Sequence, residues 1–168
     1  KEVLKMNPNY VQGLNNYANL NTNINNYDYA IELLEKAKNL TPNNIVILYN
    51  LADTYKAIGN FDMAKKIYEE IIRKYKIHTP SHLSLSSIYK YSLDSSHLKE
   101  MLLCLESKEI TQQNKIDLSF AIGKAYEDIG DFKKSFYYYE QGNKLNKEKI
   151  NYKIKNDEKL INSIIDSF

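Results

Sequence analysis

The chain has 168 residues and a mass of 19.6 kDa, with 43% hydrophobic and 26% charged residues, which suffices for one domain with a buried core and excludes disorder as the default. Its 23 basic and 21 acidic residues leave a net charge of +2 with no block of one sign, so nothing advertises nucleic acid, an anionic membrane surface or an acidic partner. The longest apolar runs, such as Ile45 to Leu48, fall far short of the roughly 18 residues of a membrane span, and the single cysteine, Cys104, allows no internal disulfide and fits a reducing, cytoplasmic setting.

Taken in chain order, the sequence opens Lys1-Glu2-Val3-Leu4 with neither an initiator Met nor a signal-like pattern, and so reads as an excerpt. Residues 1–10 align with the segment from Glu35, which makes Val3, Leu4 and Met6 the expected last turns of a preceding unit. Asn7-Pro8-Asn9 returns as Thr41-Pro42-Asn43, and Val11, Leu14, Tyr17 and Ala18 return as Ile45, Leu48, Leu51 and Ala52, both at a shift of 34. Asn26-Tyr27-Asp28-Tyr29-Ala30 lands on Asn60-Phe61-Asp62-Met63-Ala64 at the same shift. Two units follow from this, 11–44 and 45–78. A third, 79–115, is degenerate: it keeps Leu85, Tyr89, Asp94, Leu98, Leu102 and Leu105 in apolar and turn places and holds three extra residues around Lys108–Lys115. The fourth, 116–149, restores Gly123, Tyr126, Gly130-Asp131-Phe132 and Tyr139. Residues 150–168 then carry Ile154, Leu160, Ile161, Ile164, Ile165 and Phe168, one helical stripe able to cover the last apolar face or to pair between copies of the chain.

Inside a unit the spacing is that of two helices packed together. Leu48, Leu51, Ala52 and Tyr55 follow the i, i+3, i+4, i+7 rule, and Phe61, Ala64, Ile67, Tyr68 and Ile71 follow it for the partner helix. Asn26, Asn60, Asp94 and Asp131 stand at the four turns, where a short oxygen-bearing side chain caps the next helix for about 0.5–2 kcal/mol. Gly59 and Gly130 precede two of them and fit left-handed helix ends. Tyr17, Tyr55, Tyr68, Tyr89, Tyr126 and Tyr139 fall at core places between helices.

Leu48, Leu51-Ala52, Tyr55, Gly59, Ala64 and Tyr68 stand at the signature places of the tetratricopeptide repeat, which the chain therefore resembles. The first unit departs at Asn21, where Tyr is usual, and the third lacks the turn Gly and the closing Pro. The resemblance implies an all-α, right-handed helix-turn-helix solenoid of about four pairs with a C-terminal capping helix. It also implies a concave groove lined by the first helix of each pair, with Asn15, Asn16, Asn19, Tyr49, Asn50, Asp53, Lys56, Leu83, Ser84, Ser87, Lys90, Tyr91, Phe120, Lys124 and Glu127 at the groove-facing places. The expected partner is a protein or an extended peptide. Asn16 and Asn50 share a place 34 residues apart, with Ser84 next, similar to the asparagine ladder of arrays joined to some glycosyltransferases, where amides offer donor and acceptor to a peptide backbone. The carboxylate clamp of chaperone-binding arrays is not matched, because its basic places hold Asn15, Pro80 and Ser84.

Residues 116–168, through the run from Phe120 to Phe132 and then Gly142-Asn143, resemble the segment preceding the catalytic domain of bacterial sulfotransferases that carry tetratricopeptide repeats. That implies a parent enzyme whose substrate the array helps to select. The chain holds no phosphosulfate loop of Arg-Ser-Gly-Thr type, so no catalytic residue is carried over.

Other chemistry finds little purchase, and no enzyme activity, cofactor or metal is expected for this chain. Its five Gly are isolated, which disfavours a phosphate loop. His78 and His82 have ligand spacing but flank Pro80 at a helix start. Glu127, Asp128 and Asp131 read as helix-end and capping residues rather than an acid–base pair, and Cys104 as a packed thiol. Asn39-Leu40-Thr41 is a chance sequon followed by Pro42, and Arg73, the only Arg, is too little for nucleic acid.

Overall fold

The computed structural model describes residues 2–150 and 154–167, which form ten α-helices and, among the described residues, no strand. After a short α1 (Glu2–Met6), α2 (Val11–Asn23) packs on α3 (Tyr27–Leu40) and α4 (Ile45–Ala57) on α5 (Phe61–Lys74). The third pair is α6 (Thr79–Ser86) and α7 (Ser96–Leu105), the fourth α8 (Gln112–Ile129) and α9 (Phe132–Ile150), and α10 (Ile154–Ile165) closes the described chain. Each second helix also packs on the first helix of the next pair, α3 on α4 and α5 on α6, so no hairpin buries its apolar surface alone.

The turns show which local signals act. Gly59 and Gly130 take left-handed backbone at φ 77° and 86°, and Asn25 takes that role in the first pair at φ 60°. Asn60 accepts from the Met63 N–H at 3.3 Å and Asp131 from the Lys134 N–H at 3.1 Å, as capping residues should. Asn26 and Asp94 depart from that expectation. Asn26 donates its amide to Asn21 Oδ1 at 2.9 Å instead, which gives the Asn at the usual Tyr place a structural task. Asp94 lies outside α7, whose start falls two residues further on.

The fourth pair begins earlier than its repeat period predicts. α8 opens at Gln112, four residues before Ile116, because Thr111 and Asn114 form a reciprocal capping box: Asn114 N–H donates to Thr111 Oγ1 at 3.2 Å and Thr111 N–H to Asn114 Oδ1 at 3.0 Å. Much of the expected insertion is thereby drawn into helix. The third pair is shorter than its neighbours. Ser86 Oγ bonds back to Leu83 O and Ser87 Oγ to Ser84 O, both at 2.7 Å, so hydroxyls compete for the carbonyls that would continue α6.

The core divides at this third pair. One buried cluster runs from Leu14 through Leu34, Leu51, Tyr68 and Ile71 to Leu85, and a second gathers Tyr91, Leu98, Met101, Leu118 and Ile122. Tyr89 packs against both, and α8 packs on both α6 and α7. Of the expected core tyrosines Tyr68 is fully buried, while Tyr17, Tyr55, Tyr89, Tyr126 and Tyr139 are half-buried. At the N-terminal end Leu4 packs on the core and Met6 is exposed; the Val3 side chain lies outside the described residues. The helix expected after the fourth pair forms as α10, with its aliphatic stripe left exposed; Phe168 and the side chain of Ile154 lie outside the described residues.

Gly123 and Gly142 let α8 and α9 approach closely. A Cβ on Gly123 would stand 2.7 Å from the ring of Tyr139, whose hydroxyl is tied to Glu127 at 2.9 Å. Gly123→Ala is therefore expected to cost about 1–3 kcal/mol, as overpacking does, and to lower the urea midpoint; an unchanged midpoint would mean that the two helices are not held at this distance.

Candidate functional site

Hydrogen bonds join the first helices α2, α4, α6 and α8, and four of the contacts, one of them to Tyr89 just past α6, share one spacing. Asn50 Nδ2 donates to Asn15 Oδ1 at 2.7 Å, and the Tyr49 hydroxyl meets Ser84 Oγ at 3.0 Å. Asn114 Nδ2 donates to Thr79 Oγ1 at 2.9 Å, and Lys124 Nζ to Tyr89 O at 2.6 Å. Each pair is 35 residues apart. Across the first three units, 34 residues apart, this is one repeat plus one residue; from the third unit to the fourth, 37 apart, it falls two short of the step, and together these bonds form a polar seam along the first-helix face.

That seam uses much of the polarity assigned to a ligand. Asn15 and Ser84 are buried, and Tyr49 and Asn50 half-buried. Asp53 accepts from the hydroxyls of Tyr68 and Ser84 and pairs with Lys56 at 3.2 Å. Burial, then the Asp53 carboxylate, pushes the Tyr68 hydroxyl far above its ordinary pKa and keeps it a neutral donor. Desolvation alone would raise the Asp128 carboxyl, but bonds from Lys124, Lys90 and the Tyr91 N–H outweigh it and hold Asp128 below the usual carboxylate range. Asp128 was missed as a site residue, although its spacing of four from Lys124 signals an ion pair on one helix face.

The remaining expected residues separate into four settings. Asn16, Asn19, Ser87, Lys90 and Glu127 are exposed, with Asn16 accepting from Gln12 Nε2 at 2.9 Å and Ser87 engaged with Ser84 O. Lys56, Leu83 and Lys124 are half-buried. Phe120 turns towards α9, its ring 6.2 Å from that of Tyr139 and in contact range of Gly142. Tyr91 must be struck from the groove: with α6 ended at Ser86, the chain carries it into the second core cluster, 4% exposed.

Tyr91 instead heads a buried chain of side chains that no sequence pattern announced. Lys76 O can only accept, so His82 Nε2 carries the proton of their 2.9 Å bond and its Nδ1 accepts. His97 Nε2 must then donate to that Nδ1 at 2.8 Å, which leaves His97 Nδ1 to accept from the Tyr91 hydroxyl at 2.7 Å. One neutral tautomer of each imidazole satisfies every nitrogen, and the ring planes lie within 5° of each other with centroids 5.0 Å apart, as an in-plane N–H···N bond requires. Burial lowers the pKa of both, with His97 pushed down to about 3 by burial and then by His82. His82 occupies the place held by Leu14 and Leu48 in earlier units, and a polar residue there was the available signal.

Beside this chain a cleft of about 700 Å³ opens between α5 and α7, with His82, Leu85 and His97 among its lining. Cys104 lines it too, half-buried, its thiol raised by burial and by Glu100 and donating to Lys76 O at 3.2 Å. Among the described residues no cluster of three or more His, Cys, Asp or Glu is placed to hold a metal ion, and no helix is long and apolar enough to cross a membrane.

Comparison with known proteins adds to this geometry. Residues 25–76 and residues 116–149 each match the family described as tetratricopeptide repeat. A protein of Aquifex aeolicus (strain VF5) described as uncharacterized is 25% identical over 139 residues, and the chain spans only 18% of that relative's length while the match covers 83% of this chain. The crystal structure of MamA superposes with a TM-score of 0.67 at 22% identity, covering 90% of this chain and 86% of the other. MamA of Desulfovibrio magneticus RS-1 gives 0.64 at 15%, covering 86% and 80%. TTC0263, a thermophilic TPR protein of Thermus thermophilus, gives 0.62 at 17%, covering 80% and 74%. These likenesses are likenesses of fold.

The imidazole pair makes stability depend on pH. Both folded pKa values lie below the unfolded value of about 6.5, so the unfolded chain binds protons first and stability, full above pH 6.5, is lost as pH falls from there towards about 3. The urea midpoint is expected to drop between pH 7 and pH 5, before most carboxylates titrate, and His82→Gln/His97→Gln is expected to remove most of that slope. A wild-type midpoint flat across this window contradicts neutral burial of the pair.

Proposed function

We propose that this tetratricopeptide-repeat solenoid is a protein–protein interaction module that holds an extended peptide along the face of its first helices, chiefly through the peptide backbone. The observation that carries the reading is the polar seam. It fixes successive first helices in register and leaves a graded surface of exposed amides, Asn16 and Asn19 with half-buried Asn50, next to cations already balanced by carboxylates. An amide donates and accepts together, as a peptide group does, and a face of paired charges favours a neutral strand over a strongly charged one. Asp53, Lys56, Lys90, Lys124 and Glu127 would tune side-chain preference along it.

The finer reading, that the array serves a following sulfotransferase domain and helps to select its substrate, rests on the likeness of residues 116–168. Gly142 draws that likeness, and it also has a task within the pair: a Cβ there would stand 3.2 Å from Ser119 Cβ and 3.3 Å from the Phe120 ring. Residues of the repeat alone therefore account for it. Peptide capture is the reading that the first-helix face supports better.

An array of unrelated 12-residue peptides supplies a probe, and fluorescence anisotropy of its strongest binder measures the contribution of each amide. Asn16→Ala/Asn19→Ala is expected to weaken binding about 5- to 100-fold, two hydrogen bonds at about 0.5–1.5 kcal/mol each, with no change in melting temperature. Asn50→Ala should weaken binding and also lower stability, because it strands the buried Asn15 carbonyl. Affinity unchanged in the double variant would count against the reading.

A further inference from the structure

The two halves of the array meet along two lines. On the first-helix side, Thr79, Tyr89, Lys90 and the Tyr91 N–H bond to Asn114, Lys124 and Asp128, pinning α6 and the segment after it to α8. On the second-helix side α5 packs on α6 and α7 on α8, and the cleft parts α5 from α7. Bonds at its floor hold it closed. The Lys76 carbonyl, just past α5, accepts from His82 Nε2–H of α6 at 2.9 Å and from the Cys104 thiol of α7 at 3.2 Å, and His97 of α7 donates to His82 at 2.8 Å. Of these contacts the imidazole pair is the one that a proton can break.

We propose that the His82–His97 bond is a proton-operated latch between the halves: a proton on either ring frees α7 from α6, the cleft widens with α6 as the hinge, and the first-helix face changes curvature and releases an extended peptide. The release rests on the peptide-capture reading, whereas the motion does not. The bonding leaves no place for a further hydrogen. Both Nε2 atoms donate and both Nδ1 atoms accept, so a proton on His82 sets two N–H groups head to head. One on His97 takes the Tyr91 oxygen and strands the hydrogen of that buried hydroxyl. Among the described residues no carboxylate bonds to either ring, so an imidazolium would also lack a bonded counter-ion. Of the nearby acids, Glu69 pairs with Lys65 at 3.9 Å, Asp117 accepts from Thr79 and Gln113, and Asp128 pairs with Lys90 and Lys124. Glu100 on the α7 wall is matched by Arg73 and Lys76 on the α5 wall, and His78, just before α6, disfavours charge on its neighbour His82. Tyr89, Tyr91 and Cys104 are the other titratable neighbours, and none brings a charge between pH 5 and 7.5. Freed into the cleft, a ring recovers an ordinary pKa of about 6.5, against about 3 for His97 when buried. At pH 5 that difference favours the open form about 30-fold through His97 alone, and such local opening costs less than global unfolding.

Double electron–electron resonance between nitroxides on α3 and α9 tests the motion. Lys36→Cys and Lys144→Cys, both at exposed places, carry the labels, and Cys104→Ser removes the native thiol while keeping a donor for Lys76 O. Between pH 7.5 and pH 5 the separation should shift by several ångströms at unchanged helicity. His82→Gln/His97→Gln should abolish the shift and His78→Gln should keep it. A separation fixed over this range overturns the latch, as does a shift that persists without the imidazole pair or one accompanied by loss of helicity, which is unfolding of the whole. Release is read by fluorescence anisotropy with a bound 12-residue peptide free of titratable side chains. Its affinity should fall several-fold at pH 5 for the wild-type chain and stay level for His82→Gln/His97→Gln. Affinity that holds at pH 5 while the separation shifts overturns the release. Equal binding by wild type and Asn16→Ala/Asn19→Ala would instead sink the capture reading, a result on which the separation does not depend.

Discussion

A hairpin of two helices presents more apolar surface than it can cover by itself, so each pair in this chain depends on the next for its burial. The first two pairs meet that condition with hydrocarbon: Leu14, Leu34, Leu48, Leu51, Tyr68 and Ile71 form a continuous buried cluster from α2 to α5 that ends at Leu85 in α6. The third pair cannot do the same along a full helix, since α6 stops after eight residues and the second cluster is taken up by Tyr91 in the segment before α7. Polar chemistry joins the two halves there. Thr79 donates to Asp117 at 2.7 Å, Asp128 gathers Lys90, Lys124 and the Tyr91 N–H, and His82 reaches His97 across the two helices. Each of these groups is satisfied by its partners, and no buried side-chain polar atom among the described residues lacks one.

The same constraint shapes the seam. Between the first three units the contact runs to the place one residue beyond the identical one, from Asn15 to Asn50 and from Tyr49 to Ser84. Polar residues at such places do two tasks in this chain, keying one helix to the next and presenting what remains to a partner. Asn50 does both, with one amide hydrogen on Asn15 and the rest of the group half-exposed. A substitution on this face therefore reports on binding alone only where the side chain stands outside the seam.

The repeat, the helix pairs and the left-handed turns at Gly59 and Gly130 were legible because they follow from local rules that each unit restates: apolar periodicity, small residues at close approaches and glycine where φ must be positive. The degenerate third unit was recognised as such, yet its consequences were not. Tyr91 was placed in the groove on the assumption of a full-length first helix, and only the serine back-bonding that ends α6 shows why it is buried instead. The His82–His97–Tyr91 chain escaped notice for a different reason. Its members lie 15 and 6 residues apart and come together only through tertiary packing, so a search for ligand spacing found His78 and His82 and passed over the true neighbour. The seam was half visible: Asn16 and Asn50 drew attention by their identical place, whereas the bond forms between Asn15 and Asn50.

The claim on which the account rests is that two hydrocarbon-packed halves are joined through a short third pair held by polar bonds. Native-state hydrogen exchange, followed by mass on peptides covering each helix, measures this most directly. The account predicts that amides of α6 and α7 exchange through local opening well before those of α4, α5 and α8. Amides of all these helices exchanging together, at the rate of global unfolding, would contradict it.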